Sequence, residues 1–296
     1  MTVIGIFGPT ASGKSGVAEE VRQRIPSELV SADALQVYRG LPILTNQSSH
    51  PTRLVAIWPL DQEASVGGYA PLAHAAIDEI LANGKTPVVV GGTGLYLRAA
   101  LAELELPPPP RAGVRERWLR LYDEDAPAAY EHLVKLDPAA AAGVHPNDRR
   151  RVVRALELVE AGASLAPDTD RLWSQATRHP TVIVGLDVPK EILEQRIEAR
   201  TRAMFEAGVE EEVRRALAGR ISSTARKTLG LDEVTELPRE EAIAAIVVRT
   251  RRYAAYQRKW MRRVPGLVMV DADRPPGEIA DDIVALARPR ERLPRR

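Results

Sequence analysis

The fold is decided by residues 3–15, which read Val3-Ile4-Gly5-Ile6-Phe7-Gly8-Pro9-Thr10-Ala11-Ser12-Gly13-Lys14-Ser15. The first five residues form a short apolar run, which is typical of a strand buried in a parallel sheet. Gly8 to Ser15 then fits the pattern G-x-x-x-x-G-K-[ST], and a helix is predicted directly afterwards, over residues 14–25. This order of elements predicts a phosphate-binding loop at the start of an α/β sheet.

The chemistry of the loop follows from its residue types. Glycines let the backbone approach phosphates closely, and the loop N–H groups together with the helix N-terminus attract an anion. Lys14 adds a full positive charge, and the hydroxyl of Ser15 is a suitable ligand for Mg²⁺. The motif therefore predicts a polyphosphate ligand without identifying it.

Apolar runs and helical periodicities alternate along the rest of the chain. Strands are predicted over residues 28–31, 87–90, 181–186 and 267–270, and helices over residues 69–81, 95–104, 191–217 and 238–261. This alternation predicts an α/β fold with a P-loop NTPase-like parallel sheet that is covered by helices on both faces.

One long segment lacks any strand-like run. Residues 111–163 follow a proline run at 107–110 and are predicted to form a helical insertion domain. The P-loop core is then expected to comprise residues 1–110 and 164–287. The tail, 288–296, is rich in proline and arginine and is predicted to be disordered.

The composition excludes several classes of protein. There is no cysteine, so disulfides and cysteine-based zinc sites are excluded. No apolar stretch approaches 18 residues, and the first residues lack the basic and apolar regions of a signal peptide. We therefore expect no association with a membrane and a location in the cytoplasm.

Polar residues follow two of the predicted strands. Asp33 comes after the second strand and Thr93, within Gly91-Gly92-Thr93-Gly94, after the third. Ligands of open α/β sheets bind at the carboxyl ends of the strands, where both residues are expected. Asp33 suits a metal ligand, a base or a helix N-cap, and Thr93 suits a ligand contact or a cap. The spacing alone leaves these alternatives open.

Arg200 occupies an unusual position in a predicted helix. Leu193, Ile197 and Met204 mark an apolar stripe at helical spacing, and Arg200 falls inside it, with Arg196 on the adjacent face. An arginine on a buried face needs an anionic partner. A diphosphate and a buried carboxylate both satisfy that need.

Basic residues are concentrated although the net charge is only +1. Four arginines fall within residues 149–154, and residues 249–263 contain seven basic residues and no acidic one. In the second stretch Tyr253 and Trp260 interleave with arginines, a pattern that suits RNA, whose bases stack on aromatic rings. Solvated helix faces, with the two aromatic residues packed in the core, account for the same pattern.

Seven motifs together resemble the bacterial tRNA dimethylallyltransferase (isopentenyltransferase) family. They are Gly-Pro-Thr-Ala-Ser-Gly-Lys-Ser at 8–15, Ser-Ala-Asp-x-x-Gln-Val-Tyr-Arg-Gly at 31–40, Val-Gly-Gly-Thr-Gly-Leu-Tyr at 90–96, His-Pro-Asn-Asp-x-Arg-Arg-x-x-Arg-Ala-Leu-Glu at 145–157, Arg-Ile-Glu-x-Arg-x-x-x-Met at 196–204, Gly-x-x-x-Glu-Val at 208–213, and Thr-Arg-x-Tyr-Ala at 250–254 with Gln257 and Trp260. They occur in the family's order and span most of the chain.

The resemblance implies a reaction and its components. Dimethylallyl diphosphate is the donor, Mg²⁺ the cofactor, and the N6 amine of adenine 37 in the tRNA anticodon loop the acceptor, with the protein acting as a monomer. Three residues are implied to be catalytic, with Asp33 as the general base: Asp33, Thr93 and Arg200. The diphosphate is implied to be held by the loop from Gly8 to Ser15, together with Thr93, Arg200 and Arg196.

The resemblance also implies a set of tRNA contacts. They are Asp33, Ala34, Leu35, Gln36, Arg115, Arg150, Arg151, Arg154 and Arg251. Within this set, Gln36 is a candidate for contacting the edge of the extruded base.

Three departures from the family pattern affect the region of the acceptor. Residues 43–47 read Ile-Leu-Thr-Asn-Gln where the family usually has Ile-Gly-Thr-Ala-Lys-Pro. The segment 48–60 is shorter than in the family and lacks its paired histidines, and Leu231 replaces a tyrosine. Because Thr45-Asn46-Gln47 resembles the adenylate-using relatives, an adenylate isopentenyltransferase is one alternative. A small-molecule kinase, which also uses a P-loop, is a second, and a non-catalytic RNA-binding relative is a third.

Overall fold

The computed structural model describes residues 1–104, 106, 113–166 and 171–288. The predicted proline run at 107–110 and the predicted tail beyond residue 288 lie outside these residues. The chain divides into two compact units, Met1–Leu104 with Leu172–Arg296, and Glu105–Arg171. The helical insertion predicted over residues 111–163 falls within the second unit.

The first unit is built on a six-stranded sheet whose order is β3-β2-β4-β1-β5-β6. Its strands are β1 (Val3–Phe7), β2 (Ser27–Ser31), β3 (Thr52–Arg53), β4 (Thr86–Gly91), β5 (Thr181–Asp187) and β6 (Leu267–Asp271). Every neighbouring pair of strands is parallel. The predicted fold class, an α/β protein with a P-loop-type parallel sheet, is confirmed.

Twelve helices accompany the sheet in the described residues. They are α1 (Lys14–Arg24), α2 (Val66–Ala82), α3 (Gly94–Leu101), α4 (Val114–Glu124), α5 (Ala126–Leu136), α6 (Pro138–Ala142), α7 (Arg149–Glu160), α8 (Lys190–Glu206), α9 (Val209–Leu217), α10 (Leu231–Glu236), α11 (Arg239–Met261) and α12 (Pro276–Ala287). Among the described residues, no helix is both long enough and apolar enough to cross a bilayer.

The prediction of one helix over residues 191–217 was wrong, because the chain forms α8 and α9 instead. Gly208, between them, has a φ of +89°, a left-handed conformation that glycine adopts without steric cost. The break turns the chain so that Val209 and Val213 join Phe205 in one apolar cluster. The apolar spacing of the two helices is compatible with a single helix, so periodicity alone did not reveal the turn.

Strand β1 is apolar and buried along its whole length because helices cover both faces of the sheet at this strand. In β1, Val3 and Phe7 belong to the core on one face, and Ile4 and Ile6 to the core on the other. The second core also contains the apolar side of α12, a helix that the sequence analysis did not predict. A parallel sheet buried on both faces brings the carboxyl ends of its strands to one edge, where the loops after β1, β2 and β4 meet.

The second unit has its own apolar core, which includes Tyr122, Leu133 and Leu156. Three aspartates begin three of its helices by accepting a hydrogen bond from a backbone N–H three residues later: Asp125 for α5, Asp137 for α6 and Asp148 for α7. Each of these caps satisfies one of the backbone donors left open at a helix start. The unit is therefore a small helical bundle with well-defined helix boundaries.

Candidate active site

The phosphate-binding loop joins β1 to α1, as the motif predicts. Lys14 Nζ donates a hydrogen bond of 2.7 Å to the carbonyl of Pro9, so the ammonium group folds back over the loop. The buried hydroxyl of Ser12 has no hydrogen-bond partner among the described residues. Buried polar groups are normally paired, and a ligand with oxygen acceptors would satisfy this one.

The loops after β2 and β4 are joined to each other beside the phosphate-binding loop. The carboxylate of Asp33 accepts a 2.9 Å hydrogen bond from the N–H of Leu35, which fixes the turn after β2. The N–H of Ala34 donates to the hydroxyl of Thr93 at 3.3 Å, which links that turn to the loop after β4. Asp33 therefore stabilises a turn through one oxygen, and no helix begins at this residue.

Lys14, Asp33 and Arg200 lie close enough together to perturb one another electrostatically. Burial lowers the pKa of Lys14 to about 8, the carboxylate of Asp33 opposes this shift, and Arg200 adds to it. Burial also lowers the pKa of Arg200, again opposed by Asp33. The buried Nε of Arg200 has no hydrogen-bond partner among the described residues. Two cations facing one carboxylate leave the site with a net positive charge that suits an anionic ligand.

Helix α11 completes this arrangement from the far end of the chain. The Oε1 of Gln257 accepts from the N–H of Thr10 at 2.8 Å, and its Nε2 donates to the carbonyl of Gly92 at 2.8 Å. Gln257 is only 3% exposed. Its amide therefore ties the phosphate-binding loop to the loop that carries Thr93. The sequence analysis named Gln257 only as part of a motif and assigned it no role.

Tyr253 and Trp260 also face this region. Burial raises the pKa of Tyr253 to about 12, with Asp33 adding to the shift and the Thr93 side chain opposing it by hydrogen bonding. Trp260 packs so closely on Gly94 that an added Cβ there would lie 2.2 Å from the indole ring. Both aromatic residues are therefore partly buried beside the loop after β4, in agreement with the core-packing alternative for their side chains.

Replacing Gln257 with leucine is expected to raise the KM for dimethylallyl diphosphate, the donor that the sequence resemblance implies, and to lower the melting temperature. The change leaves the Thr10 N–H and the Gly92 carbonyl without their shared partner, and each unpaired buried group costs about 1–3 kcal/mol. Thermal unfolding and donor titrations measure the two effects. The matched control is Gln195→Leu, because Gln195 is exposed on α8. Equal donor KM values for Gln257→Leu and the parent protein would show that Gln257 does not contribute to donor binding.

Comparison with known proteins places this geometry in a family. The sequence model described as IPP transferase matches residues 36–264, which is more than half of the chain. The chain belongs to the IPP transferase family. The tRNA dimethylallyltransferase of Corynebacterium jeikeium (strain K411) is 37% identical over 286 residues, which cover 92% of each protein.

Solved structures agree with this family assignment. The full-length tRNA isopentenylpyrophosphate transferase of Bacillus halodurans superposes with a TM-score of 0.70 at 29% identity, covering 97% of this chain and 95% of that one. A eukaryotic dimethylallyltransferase solved while acting on tRNA has a TM-score of 0.71 at 26% identity and covers 92% of this chain and 74% of its own. The similarity to IPP transferases therefore extends over both units.

Arg196, which the family resemblance assigned to the diphosphate, lies in other surroundings. Arg196 forms an exposed ion pair with Asp273 at 3.6 Å and is not among the groups that perturb Lys14. The implied role of Arg196 on the diphosphate stays a prediction.

The segment that departs from the IPP transferase pattern is held firmly beside Asp33. The carboxylate of Glu212, only 3% exposed, accepts the N–H groups of Ile43 and Leu44, both at 2.8 Å. The side-chain amide of Gln36 donates to the carbonyl of Asn46 at 3.0 Å. Gln36 therefore positions the altered segment, and its implied contact with a base edge stays a prediction. The motif that contains Glu212 gave no sign of this capping role.

The arginines that are implied to contact tRNA outside the site differ in whether they already form ion pairs within the protein. Arg115 and Arg154 both pair with Glu157, which is 1% exposed, so these two arginines neutralise a buried carboxylate. Arg150 and Arg151 are exposed and form no ion pair with the described residues. Arg251, on α11, lies 3.8 Å from Glu194 and 3.9 Å from Glu198. The two unpaired arginines are therefore the stronger candidates for phosphate contacts.

Proposed function

We propose that this chain transfers a dimethylallyl group from dimethylallyl diphosphate to the N6 amine of adenine 37 in a tRNA anticodon loop and releases diphosphate. The observation that carries the proposal is the meeting of Lys14 and Arg200 with the carboxylate of Asp33 at the carboxyl edge of the sheet. This arrangement offers cations for a diphosphate and a base for an amine in one place. Membership of the IPP transferase family supports it.

The reaction needs charge stabilisation where the diphosphate leaves. The bond between the allylic carbon and the diphosphate oxygen breaks while a bond forms from that carbon to the adenine nitrogen. Negative charge then develops on the diphosphate, next to the loop N–H groups, Lys14 and Arg200. The unpaired Nε of Arg200 and hydroxyl of Ser12 supply further donors to the same oxygens.

The proton of the amine needs an acceptor, and Asp33 supplies it in this proposal. One carboxylate oxygen of Asp33 already accepts the N–H of Leu35, which orients the group and leaves the other oxygen for the substrate. Thr93, which is bonded to the same turn, would also contact the diphosphate. A general base within hydrogen-bond reach of the amine accelerates such a step by about 10² to 10⁴-fold.

The implied Mg²⁺ fits the residues that surround the loop. Among the described residues no three carboxylates or histidines cluster into a metal site. Mg²⁺ in phosphate-binding sites commonly takes only one or two protein ligands and is otherwise held by substrate phosphates and water. The exposed hydroxyl of Ser15, in the first turn of α1, is a suitable protein ligand of that kind. The ion would neutralise part of the diphosphate charge.

The choice of acceptor distinguishes this proposal from a P-loop kinase and from an adenylate isopentenyltransferase. A nucleic-acid acceptor accounts for the exposed, unpaired Arg150 and Arg151 on the second unit, whereas AMP needs no such surface. The test compares kcat/KM for an anticodon stem-loop with the values for AMP, using labelled donor, and measures ATP turnover in parallel. A higher value for AMP would overturn the tRNA assignment and leave the donor chemistry in place.

We further propose a monomeric, cytoplasmic enzyme. The grouped residues Lys14, Asp33, Thr93 and Arg200 all come from the first unit of a single chain, so no second copy is needed to complete the site. A tRNA acceptor is available in the cytoplasm. Light scattering of the protein, with and without a stem-loop, measures its molar mass and so tests whether it is a monomer.

Replacing Arg150 and Arg151 together with alanine is expected to weaken stem-loop binding and to flatten its salt dependence. Each lost phosphate contact lowers the slope of log K against log salt by roughly 0.7–0.9. Fluorescence anisotropy across a salt series measures the slope. Arg149→Ala is the matched control, because Arg149 pairs with Asp123 at 2.6 Å. A slope that stays the same in the double variant would assign both arginines to a plain solvated surface.

A further inference from the structure

The basic residues of α11 and the turn after it divide into two groups. Members of the first group pair with carboxylates, and these pairs are Arg239 with Glu206, Arg249 with Glu233, Arg251 with Glu194 and Glu198, and Arg258 with Asp187. Arg252, Lys259, Arg262 and Arg263 are exposed and form no ion pair with any described residue. These cations have no carboxylate partner, and residues 249–263 contain no acidic residue. They are therefore available to a polyanion.

Three of these unpaired cations, Arg252, Lys259 and Arg263, share one face of the helix with an exposed tyrosine. Positions 252, 256, 259 and 263 are spaced by four, three and four residues, so they form a single row along α11 and its C-terminal turn. Tyr256 stands in the middle of this row and is 55% exposed. We call Arg252, Tyr256, Lys259 and Arg263 the aromatic–basic row.

The row lies at the edge of the candidate active site. The ring of Tyr256 meets the ring of Trp260 edge to face, with centroids 6.5 Å apart. Trp260 in turn packs on Gly94, the residue after Thr93. Tyr256 also lies close enough to Tyr253, which hydrogen-bonds to Thr93, to raise its pKa slightly. A ligand that rests on Tyr256 is therefore adjacent to the loop that carries Thr93.

The other end of the row is fixed by stacking. The rings of Trp260 and Trp173 lie 4.9 Å apart, and the guanidinium group of Arg263 lies 4.0 Å over the Trp173 ring. Trp173 is itself held in place because the segment that contains it is bonded to the fully buried Arg98, which donates to the carbonyls of Leu172 and Ser174 at 2.9 Å each. The row is thus a preorganised surface, and its one exposed ring is that of Tyr256.

We propose that Tyr256 is a stacking platform for an unpaired base next to the target adenine, with Arg252, Lys259 and Arg263 binding the adjoining phosphates. The proposal rests on the proposed function and specifies where the acceptor binds. An adenine that is extruded for reaction leaves its neighbour without a stacking partner, and an aromatic ring replaces that partner. An acidic peptide would use the three cations but not the ring, whereas single-stranded RNA uses both.

The first test compares Tyr256→Ala with Tyr256→Phe. Stacking on one aromatic ring is expected to account for about a 5- to 100-fold effect on the KM for an anticodon stem-loop. The alanine variant should show that increase, and the phenylalanine variant should not, because the ring is retained. The KM for dimethylallyl diphosphate should stay the same in both. A stem-loop KM that is unchanged in Tyr256→Ala overturns the proposal.

A direct readout uses stem-loops with 2-aminopurine in place of one base beside the target adenine. Stacking on Tyr256 should quench this fluorophore on binding to the parent protein and to Tyr256→Phe, and the quench should be lost with Tyr256→Ala. Equal quenching in all three proteins overturns the proposal. Because this readout needs no turnover, it stays decisive even if prenyl transfer to tRNA, and with it the proposed function, is not observed.

The neighbouring cations provide a matched pair. Lys259→Ala should flatten the salt dependence of stem-loop binding by roughly one phosphate contact, and Arg258→Ala should leave it unchanged, because Arg258 already pairs with Asp187. Equal slopes for the two variants overturn the phosphate role of the row. A loss of affinity for poly-glutamate without a loss of affinity for the stem-loop in Lys259→Ala would identify an acidic protein as the occupant, which also overturns the proposal.

Discussion

Replacing Lys14 with alanine is expected to lower kcat/KM for prenyl transfer by about 10² to 10³-fold, the usual effect of removing one preorganised donor from a site of developing charge. The affinity for the donor should fall as well, because the remaining cation, Arg200, faces the carboxylate of Asp33. Isothermal titration with the donor and single-turnover transfer separate the two effects. Normal binding and transfer in Lys14→Ala would contradict the assignment of the phosphate-binding loop.

The pH dependence of donor binding gives a second measurement on the same residue. A lysine is charged below its pKa, and that of Lys14 is lowered to about 8 by burial. Donor affinity should therefore be highest below pH 8 and should fall as the pH rises through that value. Lys14→Arg keeps a cation that does not titrate in this range, so its donor affinity should stay level across the same interval.

Replacing Asp33 with asparagine is expected to reduce the single-turnover rate by about 10² to 10⁴-fold while stem-loop binding is largely kept. Asparagine preserves the shape of the side chain, and its amide oxygen is still able to accept the N–H of Leu35. What is lost is the ability to take the amine proton. A rate near that of the parent protein would leave Asp33 as the residue that fixes the turn after β2.

The same substitution also makes an electrostatic prediction. The charge of Asp33 raises the pKa of Lys14, so its removal should lower that pKa further and move the decline of donor affinity to a lower pH. The control is Asp61→Asn, because Asp61 is exposed and is not among the groups that perturb Lys14. Coincident pH profiles for Asp33→Asn and the parent protein would show that the two groups do not interact.

The local parts of the site were predictable from the sequence. The phosphate-binding loop follows from residue types at fixed spacing, and the places of Asp33 and Thr93 follow from the general geometry of parallel sheets. Arg200 was found because a charged residue interrupts an apolar stripe. Each of these signals lies within a short stretch of chain, where the physical constraints on a strand end or a helix face act directly.

The contacts between distant segments were not predictable in this way. Gln257 bonds to Thr10 across 247 positions, and nothing in the residues around either one specifies the partner. The carboxylate of Glu212 accepts the N–H of Leu44 from 168 positions away, and the residues around Glu212 likewise do not specify that partner. A two-residue strand such as β3 has too short a pattern to recognise, and its place at the edge of the sheet is set by its pairing with β2.

The bond between Gln257 and the phosphate-binding loop has a consequence for the order of events during synthesis. Residues 8–15 leave a ribosome before α11 does, so a nascent chain carries the complete motif before Gln257 has been made. The loop is not tied to the Thr93 loop until Gln257 has also emerged, because that one amide holds both backbones. A nascent chain that has not yet reached α11 therefore carries the motif without the side chain that joins its two loops, and this join forms only after translation has passed Gln257.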